Sequence, residues 1–333
     1  MRDSKKKDPF AYRDGGGSFT IGEDGDDAIS GFVKANDQLY ILSRKGISIL
    51  IMADTTDPER ANPSIPHNKQ KVLSYGSDSP FVCRILLQAS ELFQNQHLSN
   101  HINCEKALNH SFQLLKFCAS MQDTLSSYNQ KELEIRESYL GKTDEDGSLK
   151  MPHIENLDRQ IKMFVSDANS AFSELMYIVK IFYPKIANKG WEKQLSNSIT
   201  TIQGGNSPAV LFSKEVGPFI TQVRNLRNAI EHPKPTEKVK CSNYHLTKGG
   251  SVSSPSLELI HPDTPFSEMP IKDFMENTFE GVVFIFENLL AHLCNLHTVP
   301  FGNAKCTVGR IPEKGRLDTN KHMQFKYVIH WIN

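Results

Sequence analysis

One stretch combines residue types that a packed helical core does not ask for. The segment Val223-Arg224-Asn225-Leu226-Arg227-Asn228-Ala229-Ile230-Glu231-His232-Pro233 places Arg227, Asn228 and His232 at the end of a helix-patterned run. Cleaving an RNA phosphodiester without a metal needs a group that takes the 2′-hydroxyl proton and a group that protonates the leaving 5′-oxygen. It also needs a fixed cation facing the developing phosphorane charge. Histidine and arginine supply those roles. On a helical wheel Arg227 falls in the arc of Val216, Ile220, Val223, Leu226 and Ile230, so it sits among positions expected to be buried. A guanidinium cannot shed its proton, so a carboxylate, a phosphate or a subunit interface must receive it. Asn228 and His232 share a second face, whereas Arg227 and His232 stand roughly 140° apart on an ideal wheel. The wheel alone does not bring them together. Pro233 forces His232 out of regular helix geometry, and the helix C-terminus favours its cationic form, which makes it a poised acid or base.

The elements that position these residues read mostly as helices. Val82, Ile85, Leu86, Ala89, Leu92 and Phe93 recur at helical steps behind Ser79 as N-cap, and Cys104–Tyr139 continues long and proline-free until Gly141. Ile154, Leu157, Ile161, Phe164, Ala168, Phe172, Leu175, Val179 and Phe182 form the clearest apolar stripe, ending before Pro184. Trp191–Ile199 reads as a shorter helix. Val210–Glu231 is helical in pattern with a kink at Gly217–Pro218, and Pro270–His297 returns to helix. The fold class expected from this is mainly α: a bundle of four to five helices over 80–297, with small β decorations. These are a hairpin of Leu39–Leu42 and Ile47–Met52, short pieces near 238–265 after the motif helix, and a strand in Met323–Ile332. Residues 28–79 read as the hairpin's small β element followed by a proline-rich surface loop over Asp54–Ser79, and 298–333 as a C-terminal extension. Residues 1–27, polar and Gly/Asp-rich, are expected to lack fixed structure.

The string Arg227-Asn228-Ala229-Ile230-Glu231-His232-Pro233 resembles the motif of the HEPN superfamily: an arginine, a polar residue that is often asparagine, a few variable positions, then histidine. In that family the motif lies on the last part of a long helix of a four- to five-helix bundle, commonly followed by proline and a further helix. The resemblance implies a metal-independent endoribonuclease, such as a toxin or an antiviral defence effector. Its active site would form across the two-fold of a homodimer, both copies contributing arginine and histidine. It implies that Arg227 stabilises phosphate charge, Asn228 orients the scissile phosphate or the histidine, and His232 acts as acid and base. Arg224, one turn earlier, and Lys234 are candidates for further phosphate contacts. RNA is the implied partner, with a protein inhibitor or partner as a second, and no cofactor or metal is implied. The plainer reading of the same residues has Arg227 bridging a core-edge glutamate while His232 caps carbonyls beside Pro233.

Other constellations are weaker. Asp144-Glu145-Asp146-Gly147 looks like a fragment of a calcium loop, but the distal glutamate is missing, and a solvated turn explains it better. Asp24–Asp27 reads as a solvated run. Gly76-Ser77-Asp78-Ser79 faintly resembles a nucleotidyltransferase opening without its downstream aspartates; helix capping explains it better. His97 and His101 stand at i,i+4 without a third ligand. No Walker lysine loop, Gly-x-Ser-x-Gly elbow or His-Glu-x-x-His helix occurs.

The whole chain of 333 residues carries 38 Lys+Arg against 38 Asp+Glu, a formal net charge of zero. That excludes a highly basic nucleic-acid coat and leaves RNA affinity to local patches, such as Lys234–Lys240 with Lys248. Its six cysteines include no Cys-x-x-Cys pair, which argues against a zinc or disulfide framework. Short apolar runs and a polar N-terminus give no membrane span or secretory signal, so a cytoplasmic address is expected. A non-catalytic helical module, binding a partner protein or a nucleotide through its β segments, is the competing function.

Overall fold

The computed structural model describes residues 10–14, 28–139, 148–300, 302–312, 314 and 322–331. Most of the N-terminal segment, the acidic runs at 24–27 and 144–147, and the stop at Gly141 lie outside them. A single turn, α1 (Ala11–Asp14), comes first. Then β1 (Ile29–Ala35), β2 (Gln38–Ser43), β3 (Ile47–Ile51), the turn α2 (Ala53–Thr56) and β4 (Asn68–Leu73) follow. The four strands form one antiparallel sheet in chain order. Asn36 and Asp37 both adopt positive φ, as a two-residue turn between antiparallel strands requires, and Ala35 faces Gln38 across it. The sheet lies against the helices: the rings of Tyr40 and Phe112 are 4.4 Å apart, and the Asn36 N–H donates to Asn109 Oδ1 at 2.7 Å.

The chain enters the helical layer through α3 (Pro80–Val82), a π-helical turn (Cys83–Leu87) and α4 (Gln88–Leu92). The long helices are α5 (Cys104–Ser138), α6 (Leu157–Phe182), α7 (Trp191–Gln203), α8 (Pro208–Glu231) and α9 (Ile271–Leu296). Between α8 and α9 lie β5 (Lys238–Ser242), β6 (His245–Leu246), β7 (Val252–Ser253), β8 (Ser256–Ile260) and β9 (Phe266–Pro270). A last hairpin pairs β10 (Ala304–Arg310) with β11 (Phe325–Trp331). Gln88 anchors that hairpin, its Oε1 accepting from the Gln324 and Phe325 N–H groups at 2.9 Å each and its Nε2 donating to the Phe325 carbonyl at 2.8 Å. One core runs through all five long helices, with Phe112, Tyr128, Phe164 and Phe286 among its largest fully buried side chains. Among the described residues α9 alone is long and apolar enough to cross a bilayer, and more than half of it is buried in this core.

The expectation of a mainly α fold is corrected here. About 50% of the chain is helix and 21% strand, distributed over four sheets, so the protein is an α/β mix. The strands left unread share a cause. β4 sits at a sheet edge with Asn68, Lys69, Gln70 and Lys71 all exposed, so it carries no alternation of apolar residues. It occupies the end of the stretch read as a proline-rich loop. β1, the opposite edge, has Phe32 outward at 59% exposure and Gly31 breaking its pattern.

Two further features of the N-terminal layer carry tests. In α1 the Arg13 side chain is wholly buried, with Nη1 2.7 Å from Asp57 Oδ2, Nη2 2.5 Å from Asp54 Oδ1, and Nη groups donating to the carbonyls of Asn62 and Asp57. Part of the stretch expected to lack structure is therefore pinned to the 53–62 loop. The Asn62 N–H and then Arg13 hold the Asp57 carboxyl below its ordinary range. Arg13→Ala should release this turn, read as new protease cutting in the N-terminal 30 residues with the remainder resistant; an unchanged digestion pattern would reject the anchor. Separately, a Cβ on Gly76 would stand 2.1 Å from the Ser43 carbonyl and 2.5 Å from those of Arg44 and the Gly46 nitrogen. Backbone cannot yield as a side chain does. Gly76→Ala should therefore cost at least the ~1–3 kcal/mol typical of overpacking, measured by denaturant unfolding. This close approach, not a nucleotide loop, is what the Gly76–Ser79 string serves: Ser77 and Asp78 N–H groups donate to the Ser43 and Arg44 carbonyls.

Candidate functional site

The motif helix α8 begins behind Ser207, whose Oγ accepts from the Val210 N–H at 3.4 Å, with Pro208 in its first turn. It ends at His232, whose backbone leaves the helical region at φ −135° while its N–H still donates to the Asn228 carbonyl at 2.8 Å. Pro233 has no N–H and cannot continue the ladder. Val216, Ile220, Val223, Leu226 and Ala229 form its buried face, against α6 and α7.

At the C-terminal half of α8 a cleft of about 340 Å³ opens between α6, the start of α7 and α8. Arg224, Arg227 and Asn228 line one wall. Asn169, Ser173 and Tyr177 line the other, on one edge of the α6 stripe, with Asn188 beside them. Tyr177 is 40% exposed, and its ring stacks on that of His110, whose Nδ1 is 2.7 Å from Glu174 Oε2. These polar residues at four-residue steps beside Phe172 and Met176 were visible in the sequence, but only a folded neighbour shows that they face a cavity and not solvent.

Each arginine of the cleft already has a carboxylate. Arg227 Nη2 is 2.5 Å from Glu231 Oε2, one turn on, and its Nη1 donates to Asn228 Oδ1 at 3.3 Å; the side chain remains 35% exposed. Glu231, at a variable position of the motif, is thus the partner that an arginine in that arc demands. Arg224 Nη1 is 2.9 Å from Glu192 Oε1, a buried carboxylate on α7, and its Nη2 donates to Thr221 Oγ1 at 3.2 Å. That contact braces α7 against α8.

His232 and Lys234 lie elsewhere. His232 is exposed just beyond the helix end, outside the lining of the cleft, and its ring makes no hydrogen bond or ion pair with a described residue. Lys234 is exposed too, its Nζ 2.8 Å from Glu237 Oε2 in a tight turn whose backbone closes on itself. Lys234 draws the Glu237 carboxyl below its ordinary range. Lys240 is 2.7 Å from Glu258 Oε2, so the basic patch expected at 234–240 is largely neutralised. One chain therefore brings together Arg224, Arg227 and Asn228 and leaves the imidazole of His232 on the outside of the same helix tip.

His97, His101, His292 and His297 lie elsewhere in the fold. His97 packs tilted against Tyr327, ring centroids 4.4 Å apart, and His101 packs beside His297 at 5.7 Å, on a loop and not on one helical face. Burial pushes His97, His292 and His297 below the ordinary imidazole range, His297 further because of His101. No group of three His, Cys, Asp or Glu side chains suited to a metal occurs among the described residues, and all six cysteines are free thiols. A second cavity, of about 460 Å³, lies between α9 and the C-terminal hairpin, with Phe284, His292 and Arg310 on its wall. Compared with protein-family models, curated proteins and solved structures, the chain matches none.

Proposed function

We propose that the chain is a metal-independent endoribonuclease of the HEPN kind, acting as a homodimer on single-stranded RNA, in the manner of a toxin or antiviral defence effector. The observation that carries it is the placement of Arg227 and Asn228, the first two motif residues, on the wall of a cleft at the tip of α8. In the reaction the 2′-hydroxyl proton passes to an imidazole, and the freed 2′-oxygen attacks phosphorus. The 5′-oxygen leaves with a proton from a second imidazole. The products are a 2′,3′-cyclic phosphate and a 5′-hydroxyl end. Arg227 faces the charge on the phosphorane and Asn228 holds the phosphate. Since His232 stands outside the cleft of its own chain, the acid and base come from the two His232 side chains of a dimer. The test is digestion of single-stranded RNA by the purified chain in excess chelator, followed by analysis of the ends. Cyclic phosphate termini are expected, and intact RNA would reject the proposal.

A non-catalytic binding module is the second reading. It is favoured by one fact: the Arg227 guanidinium is already satisfied by Glu231 and Asn228. Under it, RNA survives the same incubation.

A further inference from the structure

Arg224 borders more than the Arg227 cleft. On the other side of that side chain a second groove, of about 520 Å³, runs between α7 and α8, and Arg224 lines both. Lys193 on α7 and Lys214 on α8 line it from opposite sides. Both are exposed, and neither has an ion pair with a described residue, in contrast to Lys234 and Lys240. The one carboxylate in the lining, Glu192, is already engaged by Arg224, so the groove carries two uncompensated cations.

The groove is also open for reasons built into the chain. Gly217 gives α8 no side chain there; a Cβ would meet only Glu192 Cβ, at 3.7 Å. Pro218, inside the helix, has no N–H, so the Lys214 carbonyl lacks the usual i+4 donor there. Ser196 and Asn197 add hydroxyl and carboxamide groups from α7. Cations on opposite walls of a groove, beside short polar side chains, suit a nucleic-acid backbone read without regard to base identity.

We propose that a single strand whose phosphate sits at Arg227 continues past Arg224 into this groove, with successive phosphates meeting Lys193 and Lys214. The groove is a substrate-tracking site that confers length preference on the cleft, and it rests on the reading of Arg227 as a phosphate-binding residue. A non-cleavable probe separates the two. A fluorescent 2′-O-methyl RNA 12-mer is titrated over a salt series against wild type, Lys193→Ala/Lys214→Ala and Arg227→Ala, and unmodified RNA is digested in parallel.

Each phosphate contact on a single strand contributes about 0.7 to the slope of log affinity against log salt, so the double variant should lower that slope by about 1.4 and Arg227→Ala by about 0.7. At low salt the double variant should bind at least about 10-fold more weakly. An unchanged slope in the double variant, with RNA still cut by wild type, overturns the groove and leaves the nuclease standing. A lysine-dependent slope with no cleavage keeps the groove and removes the nuclease. Polyglutamate displacing the probe as well as unlabelled RNA of equal charge would identify an acidic-protein surface instead, and would overturn the groove as a nucleic-acid path.

Discussion

Arg227→Ala is expected to lower metal-free cleavage of single-stranded RNA by about 10²–10³-fold, the loss seen when one donor facing a developing oxyanion is removed. His232→Ala should lose about 10²–10⁴-fold, the range for a general acid or base. Neither loss should come from unfolding. Arg227 keeps 35% of its side chain exposed and His232 is exposed, and i,i+4 ion pairs on a helix surface contribute only about 0.3–0.5 kcal/mol, a scale that the half-buried Arg227–Glu231 pair should not greatly exceed. Melting temperature and oligomer mass should therefore match wild type. Arg227→Lys should not rescue, because an ammonium cannot span two phosphate oxygens as the guanidinium fork does. The position of His232 outside its own cleft makes a further demand. Mixing wild type with an equal amount of His232→Ala should leave about a quarter of the activity of the same total amount of wild type, since random pairing leaves only about a quarter of the dimers with both imidazoles, against about half if each chain acted alone. Full activity in either single variant would remove the assignment, and about half the wild-type activity in the mixture would remove the shared site.

The helices were legible because an apolar stripe at 3.6-residue spacing survives wherever one face is buried. Ile161, Phe164, Ala168, Phe172, Leu175 and Val179 trace α6 in the sequence and are all buried in the fold. The edge strands were not, because half-exposed strands with lysines outward satisfy only their backbone pairing. β1 had one available signal, the Asn36-Asp37 pair ahead of Leu39, which is turn chemistry that tolerates positive φ at both positions. In the site, Arg227 announced its need for a partner through its place in the apolar arc. The identity of that partner, Glu231, was also within reach as the i+4 residue on a helix. What no spacing could reveal is the opposite wall. Asn169, Ser173, Tyr177 and Asn188 reach the cleft only because α6 and α8 pack together, and the Arg224–Glu192 brace joins residues 32 positions apart.

The largest stability effect is expected at the junction of the short π turn with α9. Arg84 grips Glu287 with two nitrogens, Nε to Oε2 at 3.0 Å and Nη2 to Oε1 at 2.5 Å, and holds the exposed Glu280 through Nη1. Glu287 has only 4% of its side chain exposed, so Arg84→Ala leaves a buried carboxylate without its counter-ion, a change that costs about 3–5 kcal/mol. The loss should depend on pH in a defined sense. Burial raises the Glu287 carboxyl above its ordinary range, and Arg84 opposes that rise. A carboxyl whose folded-state pKa is raised binds its proton more tightly in the folded chain than in the unfolded one. Its favourable contribution is therefore present at low pH and is lost as pH climbs through the folded-state value. Without Arg84 the rise is larger, so the deficit of the variant should be greatest near neutrality and shrink as the solution is acidified toward pH 5. Adding Glu287→Gln to Arg84→Ala removes the charge itself, and should recover more than half of the neutral-pH deficit while flattening its pH dependence. Thermal melts of wild type, the single variant and the double variant at pH 5 and 7.5 measure both. A deficit of equal size at the two pH values would show that Arg84 holds α9 by packing and not by compensating a buried charge.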